Sequence, residues 1–280
     1  MQWQVWLRQR ALRVYFFLTY LFAWSIWWPM VRVGQGWQDG RYQPMCYVLG
    51  FMTPMVAAVL VTAVTEGRVG LRTLLGGLTQ LRVGWPCYLL VLGLPPLLFG
   101  IAVALNAAIT GNWPSAADYG RLDDMFPGVG LAGTAVLHLI VGIGEEIGWR
   151  GFALPRLQSK QTALRATVIL SLWWGGWHLP TFLFHNTLTT GLAIGLFFTL
   201  ITFPIAVTYT WLYNSTQGST AITSLWSTSL TLAIGSAAAI ENIPMLMTLM
   251  IFLVAILLIR RSGVELGRSD LAAKRGTEGT

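Results

Sequence analysis

Four residues of an otherwise apolar chain have the types and spacing to do chemistry: Glu145, Glu146, Arg150 and His178. The first three fall in the run AVLHLIVGIGEEIGWRGFALPRLQ and the fourth in ALRATVILSLWWGGWHLPTFLF, both apolar enough to be membrane helices. An ionisable group inside such a segment is costly and by default marks a functional site. Glu146 and Arg150 are four residues apart, so they share a helix face as a favourable ion pair. Glu145 points about 100° away and lacks that partner. A carboxylate held by a guanidinium stays ionised, whereas its desolvated neighbour is the better proton acceptor. The spacing therefore assigns Glu146 and Arg150 to structure and Glu145 to reaction; the alternative is that the three charges pair with one another and only hold helices together.

His178 joins them by depth. With Gln158 and Arg165 as markers of one membrane face, Glu145 lies 13 residues up one helix and His178 lies 13 residues up the returning one. At about 1.5 Å per residue both stand ~20 Å from that level. Consecutive antiparallel helices are neighbours, so a carboxylate and an imidazole are expected to meet, with Gly175 and Gly176 letting the backbones approach. A Glu beside a His under an apolar cover can activate water for attack on a carbonyl. Two carboxylates and a His can equally hold a divalent metal such as zinc, with Glu145, Glu146 and His178 as candidate ligands. The two-His zinc spacing at i, i+4 is absent, so the pattern requires no cofactor. His138 and His185 each lie seven residues further out, about 10 Å. They read as interfacial histidines at the outer rim, or as a second layer of a four-residue polar column.

The elements that must position these groups are membrane helices. Of 280 residues, 10% are charged and 55% apolar, which is membrane composition. Apolar stretches long enough to cross a bilayer recur near 11–31, 45–65, 87–109, 129–149, 166–186, 188–213, 219–239 and 243–259, predicting an all-α bundle of about eight transmembrane helices in a single domain, 1–260. The third is interrupted by Pro95 and Pro96 and the seventh is rich in Ser and Thr, so either is open to a distorted or re-entrant form. The N-terminal segment is too long and aromatic for a signal peptide and reads as the first span. The distribution of basic residues then orients the bundle: of 18, only Arg32, Arg41 and Arg121 face outward, leaving 15 on the cytoplasmic side with both termini. That bias accounts for the net charge of +7 without nucleic acid as a partner.

Between spans two and three, residues 69–82 carry Leu71, Leu74, Leu75, Leu78 and Leu81 at helical spacing, which suggests an amphipathic helix at the interface. Residues 111–128, with Pro114, Pro127, Asp118, Asp123 and Asp124, read as an outward loop, and 261–280 as a disordered cytoplasmic tail. Cys46 and Cys87 begin successive spans at opposite faces and are not expected to pair. Most tryptophans, among them Trp3, Trp6, Trp27, Trp28, Trp37, Trp85, Trp113 and Trp211, lie near span ends as interface anchors. Trp149, Trp173, Trp174 and Trp177 instead surround the polar cluster.

The ordered set Glu145-Glu146-Ile-Gly-Trp-Arg150-Gly, Leu154-Pro155-Arg156-Leu157-Gln158, Trp174-Gly-Gly-Trp-His178-Leu-Pro180, Thr210-Trp-Leu-Tyr-Asn214 and Gly218-Ser219 resembles the CPBP family of CAAX prenyl endopeptidase-like and bacteriocin-processing or immunity proteins, formerly called Abi. The resemblance spans roughly residues 40–260. It implies an eight-helix membrane bundle in a bacterial plasma membrane, with a cavity open to the cytoplasm. It also implies intramembrane endopeptidase activity on a membrane-anchored or lipidated peptide or protein within the bilayer. On the matching positions Glu145 and His178 would activate water. The family's oxyanion-stabilising His and Asn fall at Ser227 and Thr231, which keep a hydrogen-bond donor each but no imidazole. Loss of one such donor costs about 100- to 1000-fold in turnover, so a weakened protease is implied. The competing reading is a non-catalytic binding, immunity or scaffold protein that uses the same cavity; a transporter would call for an inverted repeat, which the chain does not show.

Overall fold

A computed structural model describes residues 2–34, 43–119 and 129–268, and every regular element among them is helical. In order these are α1 (Gln2–Gly34), α2 (Gln43–Phe51), α3 (Thr53–Thr65), α4 (Gly67–Gly76), α5 (Trp85–Thr110), α6 (Leu131–Glu146), α7 (Leu154–Gln158), α8 (Ala163–Trp177), α9 (Leu188–Ser215), α10 (Thr220–Ile234) and α11 (Ile243–Ser262). A π-helical segment, Ile147–Ala153, joins α6 to α7. Five stretches are long and apolar enough to cross a membrane: Trp6–Arg32, Trp85–Thr110, Leu131–Gln158, Leu188–Ser215 and Ile243–Glu265. α2 and α3, bent by 41°, make a sixth if counted as one span. α8 and α10 have 15 residues each, or about 22 Å of helix, against a hydrocarbon core of ~30 Å. Among the described residues, five long helices and one bent pair thus account for up to six of the eight expected crossings, and α8 and α10 fall short of the span length.

Several boundaries differ from the sequence reading for local reasons. α5 runs unbroken through Pro95 and Pro96. α8 stops at Trp177, so His178 is its C-cap rather than an interior residue, and a 3₁₀ turn follows over Leu179–Leu183. Pro180 causes this, because it offers no backbone N–H and disfavours helical geometry at the residue before it. The expected amphipathic helix is helical only to Gly76, with turns beyond it, since the Gly76-Gly77 pair favours termination. The chain after residue 261 stays packed as far as Arg268: Leu266 is fully buried against Ala163, Val207 and Ala255, and its carbonyl accepts from Asn214 at 3.2 Å. Arg41, Arg121, Asp123, Asp124, Trp37 and the tail from 269 lie outside the described residues. Both cysteines are free.

Helix pairing is set by close approach at glycines. α6 packs chiefly on α10 and α8 on α9, while α1 covers α2 and α3 and α11 lies against α5 and α9. The expected use of Gly175 and Gly176 is therefore redirected. A Cβ at Gly175 would stand 2.6 Å from the Thr199 Cα of α9, and one at Gly176 would stand 2.9 Å from the Tyr20 hydroxyl of α1. The helix carrying the two glutamates thus meets the His178 helix mainly through the π segment and α7. Gly175→Ala is expected to destabilise the bundle by about 1–3 kcal/mol, because a backbone atom rather than a flexible side chain must retreat. Thermal unfolding in detergent reads this, and an unchanged melting temperature would show that α9 shifts at no cost.

Candidate active site

Glu145 and Glu146 are the last two residues of α6, and the π segment begins directly after them. π turns are rare and concentrate at functional sites. Two glycines four apart, Gly144 and Gly148, bracket the glutamates and seat the kink between α2 and α3. A Cβ at Gly144 would meet Met52 Sδ at 2.9 Å and the Phe51 carbonyl at 3.1 Å, and one at Gly148 would meet the Pro54 backbone at 2.6 Å. This small-xxx-small spacing was readable in the sequence and explains why the kinked pair lies against the cluster.

Glu146 and Arg150 behave as their spacing predicts. Arg150 Nη1 donates to Glu146 Oε1 at 2.8 Å, with both side chains out of contact with solvent. The guanidinium is sandwiched between the rings of Trp174, 4.3 Å away, and Tyr209, 4.1 Å away. A planar, weakly hydrated cation suits that slot, and a lysine would not. Glu146→Ala strands this buried charge and is expected to cost about 3–5 kcal/mol of stability. Its melting temperature should fall well below that of the natural chain; a stable Glu146→Ala variant would show that the pair holds nothing together.

Glu145 differs from both neighbours. It keeps 6% exposure while Glu146 and Arg150 have none, so it alone of the three charged groups reaches open space. Its Oε2 accepts a 2.7 Å bond from the Trp174 indole N–H, leaving Oε1 for another partner. Trp174 also fixes His178: its backbone carbonyl lies 2.8 Å from His178 Nδ1. A carbonyl only accepts, so Nδ1 carries the proton and Nε2 presents a lone pair. The imidazole is held edge-on among Trp177, Phe198 and Phe51, at centroid distances of 4.7, 5.2 and 5.9 Å. One residue thus positions a carboxylate oxygen and an imidazole nitrogen that have no other hydrogen-bond partner among the described residues. Trp174 sits one helical turn before His178, and that i, i+4 relation was the available sequence signal for its role. Tyr209 gave no such signal.

Ser227 reaches the cluster across the α6–α10 seam. A Cβ on Gly142 would lie 3.3 Å from Ser227 Cβ and 3.4 Å from its Oγ, and Ser227 stands beside the Tyr209 hydroxyl. Thr231 is one turn further along α10 and half-buried. The two outer histidines part company. His138 is buried at 4% exposure, not at an open rim, whereas His185 is exposed and out of helical register because α8 ended before it. Trp149 and Trp177 are fully buried around the cluster, but Trp173 is 41% exposed and stacks on Phe16. Trp27, expected as an anchor, is fully buried against Phe51, Trp177 and Phe184.

Other motif residues hold the frame. Gln158 donates to Asn214 at 3.2 Å, and Ser219 caps α10 while donating to the Gln80 carbonyl at 2.7 Å. Among the described residues, no three His, Cys, Asp or Glu side chains are gathered as a ligand set. With Glu146 committed to Arg150 and one Glu145 oxygen to Trp174, the trio Glu145, Glu146 and His178 does not fit a zinc site. The chemistry open to the cluster is that of its side chains: a base, an oriented imidazole and hydroxyl donors.

Residues 127–228 match the family of type II CAAX prenyl endopeptidases, Rce1-like, a stretch that contains Glu145, Glu146, Arg150, His178 and Ser227 and stops short of Thr231. The chain is also similar to CAAX prenyl protease 2 of Methanococcus maripaludis, at 20% identity over 209 residues, covering 71% of this chain and 75% of that protein. Through the segment that holds its whole charged cluster, the chain is similar to the CAAX prenyl endopeptidase-like (CPBP) family.

Proposed function

We propose that this protein is an intramembrane endopeptidase in which Glu145 activates water to cleave a peptide bond of a membrane-anchored or lipidated substrate. The observation that carries the reading is the double tie of Trp174, whose indole holds Glu145 and whose carbonyl sets the tautomer of His178. Water donates one hydrogen to Glu145 and the other to His178 Nε2. As its oxygen bonds to the substrate carbonyl carbon, its proton passes to Glu145. The carbonyl oxygen becomes an oxyanion that takes hydrogen bonds from the Ser227 and Thr231 hydroxyls. Collapse breaks the C–N bond, and Glu145 returns the proton to the leaving nitrogen. Glu146 and Arg150 take no part in proton transfer and keep the end of α6 in place.

The bias of basic residues towards one side in the sequence supports a cytoplasmic location for both termini. The printed activity of the Methanococcus relative, prenyl protease, supports a substrate whose cleavage point lies close to its lipid anchor. The deciding assay reconstitutes the protein in liposomes with a library of membrane-anchored peptides and reads products by mass spectrometry. Cleavage lost on Glu145→Gln supports the reading, and cleavage that survives it overturns the assignment of the base. Ser227 and Thr231 in place of stronger donors favour a second reading, a protein that holds such a peptide without cutting it, for which the same assay returns binding and no products.

A further inference from the structure

Far from the glutamates, three membrane segments end at one place. The span of α1 begins at Trp6, α3 ends at Thr65, and the span that carries Glu145 and Glu146 ends at Gln158. Between these ends opens a cleft of about 170 Å³, lined among others by Arg8, Thr65, Glu66, Arg156, Ser159 and Lys160. Gly67, with a φ of 65°, turns the chain from α3 into α4 and leaves Glu66 exposed at the corner. The ends of spans lie where lipid headgroups begin. Trp6, 51% exposed at the start of the first span, suits that level.

Three cations share this cleft with one carboxylate. Arg156 is committed within the chain: Nη1 donates to the Phe152 carbonyl at 2.9 Å, Nη2 donates to Glu66, and the guanidinium lies 3.7 Å from the centre of the Phe152 ring. Arg8 is anchored through Nε alone, which donates to the Thr65 carbonyl at 2.6 Å. That carbonyl belongs to the last turn of α3, the end of a helix that attracts a cation. Among the described residues Lys160 makes no side-chain hydrogen bond, and neither Lys160 nor Arg8 has a carboxylate within ion-pair reach. Two cations from elements far apart in the chain are thus brought to one cleft with no anion of the protein to answer them. A phosphate answers such a pair, because its oxygens accept charge-assisted hydrogen bonds from both, and basic pockets between membrane helices take phospholipid headgroups. The cleft lies at headgroup level, and Ala11 and Leu12 complete its wall with apolar surface, which suits a lipid better than a soluble phosphate. Its excess of cations selects a headgroup without an ammonium of its own, since that group would meet Lys160. We infer that the cleft between α1, the α3–α4 corner and α7 binds the phosphate of an anionic phospholipid, held by Arg8 and Lys160 with Arg156 behind them. Phe152, on which Arg156 rests, is part of the π segment that follows Glu146, so the lipid ties three span ends to the element behind the glutamates and stabilises the closed bundle.

The test uses the full chain, purified in neutral detergent and depleted of lipid. It is titrated with phosphatidylglycerol and with phosphatidylcholine of the same acyl chains, and thermal unfolding and native mass spectrometry are read at each step. Phosphatidylglycerol is expected to raise the melting temperature and to stay bound as a single molecule, and phosphatidylcholine to do neither at the same concentration. Arg8→Gln with Lys160→Gln should weaken the Kd for phosphatidylglycerol by about 30-fold, from the attraction of two basic residues to an anionic lipid. Arg68→Gln with Arg72→Gln removes as much charge from exposed positions of α4 outside the cleft and should leave that Kd unchanged. Lys160 has no partner within the described chain to lose. Where Arg8→Gln lowers the melting temperature without lipid, Lys160→Gln alone therefore decides, with a loss of about fivefold expected. Glycerol phosphate, the headgroup without its chains, separates a lipid from a soluble ligand and should give no protection at concentrations where the lipid saturates. An equal shift with phosphatidylcholine, an equal loss in the Arg68 and Arg72 variant, unaltered binding in Lys160→Gln, or glycerol phosphate binding as tightly as the lipid overturns the proposal. None of these measurements involves cleavage, so the lipid site and the peptidase reading stand or fall separately.

Discussion

Glu145→Gln lowers the rate of peptide cleavage by about 100- to 10,000-fold, the range that a positioned acid–base group contributes, and leaves the melting temperature where it was. The two halves of this result have separate causes. A glutamine at 145 still presents a carbonyl oxygen to the Trp174 indole, so the 2.7 Å bond that orients the side chain persists. It cannot take a proton from water, so the reaction stalls at its first step. The adjacent residue gives the reverse: Glu146→Ala removes the partner of a guanidinium with no exposure and acts on stability first. Single-turnover cleavage in liposomes, with thermal unfolding of the same preparations, measures both effects. If the two glutamates gave the same phenotype, the division of labour between them would be wrong.

The second large effect runs the other way. Changing Ser227 to His and Thr231 to Asn together is expected to raise turnover by about 100- to 1000-fold, the amount that one good oxyanion donor supplies. Ser227 packs directly on Gly142, where an added Cβ would stand 3.3 Å from Ser227 Cβ, so a larger side chain at 227 has to displace its neighbours, and position 231 lies one turn away on the same face. KM should change little, because the added hydrogen bonds form only when the carbonyl oxygen becomes charged. A well-folded double variant no faster than the natural chain would mean that the oxyanion is held elsewhere, and a variant active where the natural chain is inert would make the natural chain a binding protein.

How much of this was readable beforehand differs from residue to residue. The Glu146–Arg150 pair was legible because both residues lie within one turn, where backbone geometry alone sets their distance. The apparent depth match of Glu145 and His178 treated both helices as regular. The structure interrupts that count once, by the π segment after Glu146, and Pro180 ends the second helix only beyond His178. His185 lost its place in the polar column for the second of these reasons. His138 kept its place, since α6 is regular from Leu131 to Glu146, but its burial depends on α10, which no count along α6 could supply.

By itself the sequence determined the class of protein, the positions of its charges and the pairing of Glu146 with Arg150. These follow from composition and helical period, both of which act locally. Only the tertiary structure decided that α6 lies against α10 and α8 against α9, that Gly175 serves Thr199 rather than the glutamate helix, and that Trp174 holds both Glu145 and His178. The physical reason lies in the surroundings of a membrane helix. Lipid tails are as apolar as leucine, so a hydrophobic face does not select its partner; close packing at small residues and a few buried hydrogen bonds do. Those contacts join residues far apart in the chain, and they exist only once the bundle has closed.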